Sequence, residues 1–159
     1  MQIEGENNQF IYMEYREIDK KNPPLDVLNL SLKDTQKMYL DPVPVMLKEY
    51  ENSDEWKAFA IQLDDKESTT VGFAIVGSTG IDNTWIEDLM IDEKFQGKGY
   101  GTEAIKHLIK YLVASYSIDH IYLSCYPDNA YALRLYEKIG FKKTNRINVY
   151  NEDILVFNV

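Results

Sequence analysis

The sequence predicts an α+β fold in which a mixed sheet of about seven strands carries about four helices on its faces. Three observations point there. Short stretches of period-2 alternation recur along the chain, the stretch from Gly99 to Ser115 places apolar residues at helical spacing, and the elements follow in the order β-α-α-β-β-β-α-β-α-β-β. With 159 residues, 45% of them hydrophobic, the chain is long enough for one well-packed domain and too short to make two the expectation. A single domain over residues 1–159 is therefore expected.

The elements follow from local chemistry. Residues 1–9 form a polar arm that can fray, and Gln9 to Glu17 alternates as a first strand. Asn22-Pro-Pro24 is a turn into a short helix near Leu25 to Leu30, and Asp41-Pro-Val-Pro44 breaks the chain before a second helix from Val45 to Glu51. Trp56 to Leu63 and Thr70 to Val76 are strands joined as a hairpin by the polar turn Asp64 to Ser68. Gly77 to Asn83 is a loop, and Trp85 to Ile91 the next strand. A helix from about Gly99 to Ser115 follows, presenting Ala104, Ile105, Leu108, Ile109, Leu112 and Val113 to the sheet. His120 to Cys125 is a strand, Tyr126-Pro-Asp128 a turn, and Asn129 to Ile139 a helix stopped by Gly140. Strands around Phe141 to Ile147 and Asp153 to Phe157 close the chain.

Charge and composition narrow the function. The chain has 17 basic and 26 acidic residues, a formal charge of −9. That disfavours nucleic acid or an anionic membrane as partner and favours a cationic ligand. One cysteine, Cys125, excludes an intramolecular disulfide, and no apolar run approaches the ~20 residues of a membrane span. The first ten residues do not read as a signal peptide, so a cytoplasmic location is expected. His107, His120 and Cys125 have no paired metal-ligand spacing, so no metal site is expected.

The most informative stretch is Ile86 to Thr102, a carboxylate-bearing strand running into a glycine-rich loop that opens a helix. N–H groups at such a junction can hold a diphosphate. The loop is not a dinucleotide fingerprint, because Thr102 stands where the third glycine is required, and it lacks the Gly-Lys-Ser/Thr ending of a P-loop. Taken alone it is equally a structural glycine turn.

It does not stand alone. Gln96-x-x-Gly99-x-Gly101 resembles the Gln/Arg-x-x-Gly-x-Gly/Ala signature of the GNAT superfamily of N-acetyltransferases. Asn129-Ala-x-Ala-x-x-Leu-Tyr-Glu-Lys-Ile-Gly-Phe141 resembles that family's second block, and together the two cover about a third of the chain. The resemblance implies a mostly antiparallel sheet in a three-layer α/β/α arrangement, with acetyl-CoA lying where two neighbouring strands splay apart. Leu89, Met90 and Ile91 would pair with the pantetheine arm. Gln96, Gly97, Lys98, Gly99, Tyr100, Gly101 and Thr102 would hold the diphosphate, helped by a helix dipole that favours an anion by ~0.3 to 1 kcal/mol. Lys98 either adds charge there or is an ordinary solvated lysine. Asn129 would contact the cofactor and Tyr136 would be the general acid, although without the motif Tyr136 reads more readily as core. A phenol of pKa ~10 donating to a thiolate of parent pKa ~8.5 is uphill by about 2 kcal/mol, so a tightening hydrogen bond is as plausible as complete early transfer.

The acceptor amine needs a base. An alkylammonium of pKa ~10.4 is neutral about once in 2,500 molecules at pH 7, roughly 4.6 kcal/mol of barrier. Trp85-Ile-Glu-Asp-Leu-Met-Ile-Asp92 is similar to the corresponding strand of spermidine/spermine N-acetyltransferases, and Val71-Gly-Phe-Ala-Ile75 to the strand before it. That likeness implies Glu87 as the base, directly or through water, and Asp88 as a polyamine-binding residue; a carboxylate paired with a neighbouring cation is the structural alternative. Period-2 alternation sends the two to opposite faces unless a bulge re-aims the strand. Tyr39, Glu49 and Glu51 are wall candidates by position alone, and Cys125 reads as a small buried thiol. The expected activity is direct acetylation of a small cationic amine by acetyl-CoA. Alternatives are a GNAT acting on a protein N-terminus, an amino acid or an aminoglycoside, and a non-catalytic acyl-CoA-binding regulatory module. Family members are often dimers, so a homodimer is an expectation of the resemblance.

Overall fold

Seven strands line up in one open sheet in the order β1-β2-β3-β4-β5-β7-β6. They are β1 Met13–Ile18, β2 Trp56–Leu63, β3 Thr70–Ser78, β4 Thr84–Ile91, β5 His120–Cys125, β6 Lys142–Ile147 and β7 Asp153–Asn158, with helices α1 Leu25–Leu28, α2 Val43–Glu49, α3 Tyr100–Ser115 and α4 Ala130–Ile139. The computed structural model describes residues 11–159. The polar arm 1–9 and the expected strand start at Gln9 and Phe10 lie outside the described residues.

All neighbouring strands pair antiparallel except β4 and β5, which run parallel and share a single registered pair, Trp85 with Tyr122. A parallel pair needs a long crossover, and α3 supplies it. The central strands are buried on both sides, so alternate residues feed two cores. Phe59 and Ile61 point into the core beneath α3 and α4, whereas Ala58 and Ala60 point into the core beneath α1 and α2. Helices therefore cover both faces, in the expected three layers.

Several boundaries move for physical reasons. β1 begins at Met13, and α2 begins at Val43 with a proline in its first turn, a position where the missing N–H of Pro44 costs nothing. β3 runs on through Gly77 and Ser78, residues expected in a loop, because both still pair with β4. On α3 the residues Ala104, Ile105, Leu108, Ile109 and Leu112 are buried, but Val113 is 42% exposed. At about 100° per residue, Ile109 already marks the edge of the apolar stripe and Val113 falls beyond it. Phe141 belongs to the exit of α4 rather than to β6; its N–H bonds back to the Tyr136 carbonyl at 3.0 Å, and Gly140 takes a φ of 126°. β6 has no buried residue and a register shift between Lys143 and Arg146. Lysines and a bulge on an edge strand blunt pairing with other chains.

Candidate active site

The bulge in β4 brings the two carboxylates together. Asp88 stands opposite Ile75 and Ile86 opposite Val76, which leaves Glu87 as the extra residue. A bulge re-aims side chains that a regular strand would send apart, and both carboxylates line one cleft of about 820 Å³. Its walls come from β4, the ends of α2 and β5, the glycine loop, the exposed face of α4, the segment 35–41 and the β6–β7 turn. The charged lining is one-sided. Among the described residues, Asp41, Glu49, Glu87, Asp88, Asp128 and Glu152 face a single cation, Lys37, which is paired with Asp34 at 2.8 Å.

Burial and acidic crowding raise both carboxyls of the pair. Asp88 is pushed up to about 7, first by burial and then by the charges of Glu87, Glu49, Asp41 and Glu152. Glu87 is also raised by burial, but a hydrogen bond from the Tyr50 hydroxyl pulls it back, against Glu49 and Glu152. One carboxylate thus has a neutral donor and the other holds its proton to near neutrality.

Backbone opens the opposite end of the cleft. β4 beyond Trp85 has no registered partner on β5, so polar groups along Leu89, Met90 and Ile91 that do not bond to β3 are left for a ligand. The loop that follows is held by side chains. Gln96 Nε2 donates to the Ile91 carbonyl and to Gln36 Oε1, and Gln36 Nε2 returns a bond to Gln96 Oε1, all at 2.9 Å. Buried Asp92 accepts from Ser31 and Lys94 N–H groups at 2.9 Å, and Glu93 N–H donates to the Ser31 carbonyl at 2.8 Å. The segment 31–36 is thereby tied to the end of β4.

An anion fits the loop. Gly97 and Gly99 have φ values of 77° and 84°, a region that glycine enters without strain. Gly99 caps α3 without a side-chain hydrogen bond, so the first-turn N–H groups point outward unsatisfied. A Cβ at Gly97 would meet nothing within 4 Å, which makes the approach open. Gln96, Gly97, Gly99, Tyr100, Gly101 and Thr102 all line the cleft, whereas Lys98 is exposed and outside its wall.

Asn129 is the N-cap of α4, its side chain accepting from Ala132 N–H at 3.4 Å. Two turns on, Tyr136 sets its ring edge-on to Phe141 at 6.1 Å, and both Asn129 and Tyr136 face the cleft. Burial, then Cys125 and Glu152, raises the Tyr136 hydroxyl above the ordinary phenol value. Burial also pushes Cys125 up to about 11, so it rests as a neutral thiol.

Of the wall candidates, Tyr39 and Glu49 line the cleft and Glu51 does not. The sequence reading missed Tyr50, Glu152, Asp41, Tyr126 and Asn148. Glu152 is held by Asn148, whose Nδ2 donates to its carboxylate at 3.0 Å while its Oδ1 accepts the Glu152 N–H at 3.0 Å. Only the pairing of β5 with β7 brings that turn opposite β4, and no local pattern announces it. No group of three or more His, Cys, Asp or Glu among the described residues is arranged to hold a metal ion. No described helix is long and apolar enough to cross a membrane.

Comparison with known proteins agrees with this fold. Residues 25–141 match the family model described as Acetyltransferase (GNAT) family. The chain is 31% identical over 137 residues to a spermine/spermidine N(1)-acetyltransferase of Bacillus subtilis strain 168, covering 82% of this chain and 88% of that one. A GNAT acetyltransferase from Elizabethkingia anophelis with acetyl-CoA bound superposes with a TM-score of 0.71 at 17% identity, covering 92% of this chain and 98% of that one. A chimera of the Vibrio cholerae spermidine N-acetyltransferase SpeG and hSSAT gives a TM-score of 0.65 at 18% identity, covering 91% of this chain and 95% of that one.

Proposed function

The chain belongs to the GNAT family of acetyltransferases and is an acetyl-CoA-dependent acyltransferase; from that premise we propose that it acetylates a primary amine of a polyamine such as spermidine or spermine. The observation that carries the substrate class is the cleft wall, six carboxylates against one paired lysine. A flexible polycation is the small amine such a wall attracts and orients. The polyamine acetyltransferase relative supports the same reading.

Acetyl-CoA supplies an activated thioester when bound. The open edge of Leu89, Met90 and Ile91 would hold its pantetheine arm, and the N–H groups of the loop from Gln96 to Thr102 its diphosphate, with Asn129 beside them. Glu87 takes a proton from the ammonium, directly or through water, and leaves the nitrogen lone pair free to attack. Asp88 binds and orients the cation. Tyr136 keeps its proton at Oη until charge develops on the leaving sulfur. Its raised pKa makes early complete transfer costlier than for an ordinary phenol, which favours a tightening hydrogen bond. Cys125 stays protonated at neutral pH and is a poor nucleophile, consistent with direct attack rather than an acyl-enzyme.

A panel of amines with acetyl-CoA tests this reading. Turnover of spermidine or spermine is expected, with Tyr136→Phe lowering kcat by about 10²-fold or more. Turnover of only amino acids, aminoglycosides or peptide N-termini would overturn the polyamine assignment. Binding of CoA with no amine acetylated would point to a regulatory module.

A further inference from the structure

We propose that Gln36 is a positioning residue that couples the two ends of the cleft: its paired amide with Gln96 ties the wall segment 35–41 to the glycine loop, so that a cofactor held on the loop strengthens binding of the amine. The inference rests on the amine-acetylation reading above.

The side chain of Gln96 has no free donor. Its Nε2 carries two hydrogens, and it donates to the Ile91 carbonyl and to Gln36 Oε1, both at 2.9 Å, while Gln36 Nε2 donates back to Gln96 Oε1 at 2.9 Å. That side chain therefore braces the loop rather than binding a diphosphate. Gln36 is the other half of the brace. Its Oε1 also accepts the Lys33 N–H at 3.2 Å, which closes the short 3-10 turn Asp34–Gln36, and its carbonyl accepts the Tyr39 N–H at 3.0 Å. One residue thus holds the turn, the loop and the beginning of the far wall.

From Tyr39 the contacts cross the cleft. Its ring lies 6.0 Å from that of Tyr126, and the Tyr126 carbonyl accepts the Asn129 N–H at 3.0 Å at the start of α4. Both rings line the cleft, as does Asp41 two residues beyond Tyr39. The segment is anchored at its ends, by the bonds of Ser31 to Asp92 and Glu93 and by buried Val43 in α2. Between them Thr35, Met38 and Asp41 are exposed, and the Gln36–Gln96 pair ties the middle to the loop.

A diphosphate on the N–H groups of the loop narrows the positions open to it, and the amide pair passes that restraint to residues 36–39. The amine then meets a wall already ordered and loses less conformational freedom on binding. Linkage makes the effect mutual: the amine tightens the cofactor by the same factor.

Gln36→Leu keeps the bulk and removes the pair. The measurements are calorimetric Kd values for an amine that the wild type acetylates, with and without saturating CoA, which has no acetyl group to transfer, together with hydrogen exchange at the Tyr39 amide. In the wild type CoA is expected to tighten the amine by on the order of fivefold or more and to slow exchange at Tyr39. In Gln36→Leu the factor falls below about twofold and the slowing is lost, while the amine Kd without CoA stays within about twofold. With saturating acetyl-CoA the KM for the amine rises and kcat is kept. Gln36→Ala is expected to match it, so a loss confined to the leucine variant overturns the proposal. An equal loss of amine affinity with and without CoA, or a coupling factor unchanged from wild type, overturns it too. If the wild type turns over a polyamine whose affinity CoA leaves unchanged, the coupling alone is wrong. If the wild type neither binds nor acetylates any amine, the amine reading falls and the coupling with it.

Discussion

Asp88 carries an unusual thermodynamic signature for a single residue. Its pKa, pushed up to about 7 in the folded chain, lies above the ordinary aspartate value of ~3.9. Between those two values the folded state binds more protons than the unfolded one, so this residue's contribution to stability falls as pH rises through the interval and is level above it. Asp88→Asn cannot ionise. The variant is expected to melt higher than wild type at pH about 8 and to lack the Asp88 part of the decline in thermal midpoint between pH about 4 and 7. If Asp88 orients the substrate, its KM for the amine rises more than kcat falls. Melting curves across pH and steady-state kinetics at one pH check both halves.

At the scale of elements, what could be read in the sequence and what could not divide along a physical line. Trp56–Leu63 and His120–Cys125 were legible to the residue, because alternation is a local signal with clear turns on either side. The glycine loop and the Asn129 to Phe141 block were legible as motifs, and Gln96, Gly97, Gly99, Asn129 and Tyr136 from them do meet in one cleft. The bulge at Glu87 was not, because it is a property of the register between β4 and β3 rather than of β4 alone. Glu152 and Tyr50 were invisible for the same reason: they lie far from Glu87 in sequence, and only the strand order and the docking of α2 bring them near. The register has its own check. A Cβ at Gly72 would lie 2.5 Å from the Met90 carbonyl oxygen, and that backbone atom cannot yield without parting β3 from β4. Gly72→Ala is expected to destabilise the fold by roughly 1–3 kcal/mol, read as a lower denaturant midpoint, and, on the roles proposed for Glu87 and Asp88, to weaken catalysis by moving them.

For the molecule as a whole, a formal charge of −9 acts oppositely on acetyl-CoA and on the polyamine proposed above as its partner substrate. The field attracts a polyamine and repels the anionic cofactor, which the local groups at the helix start must hold against it. Raising salt from about 50 to 300 mM screens both interactions. kcat/KM for the polyamine is expected to fall severalfold, while the apparent affinity for acetyl-CoA holds or improves. A common decline for both substrates in steady-state kinetics would contradict this picture.

The seam between β4 and β5 has a final consequence. With one registered rung, Trp85 and Tyr122, the sheet is two hydrogen-bonded ladders joined chiefly by α3 and by packing, and a zip left half undone is a natural boundary between cooperative units. A ligand whose amide arm lies along that open edge would act as a missing strand and fuse the ladders. Amide hydrogens of Leu89 to Ile91 should then exchange faster than those in the middle of β2 in the free protein and slow sharply with CoA. Over the same step, calorimetric unfolding should sharpen as two loosely coupled halves become one.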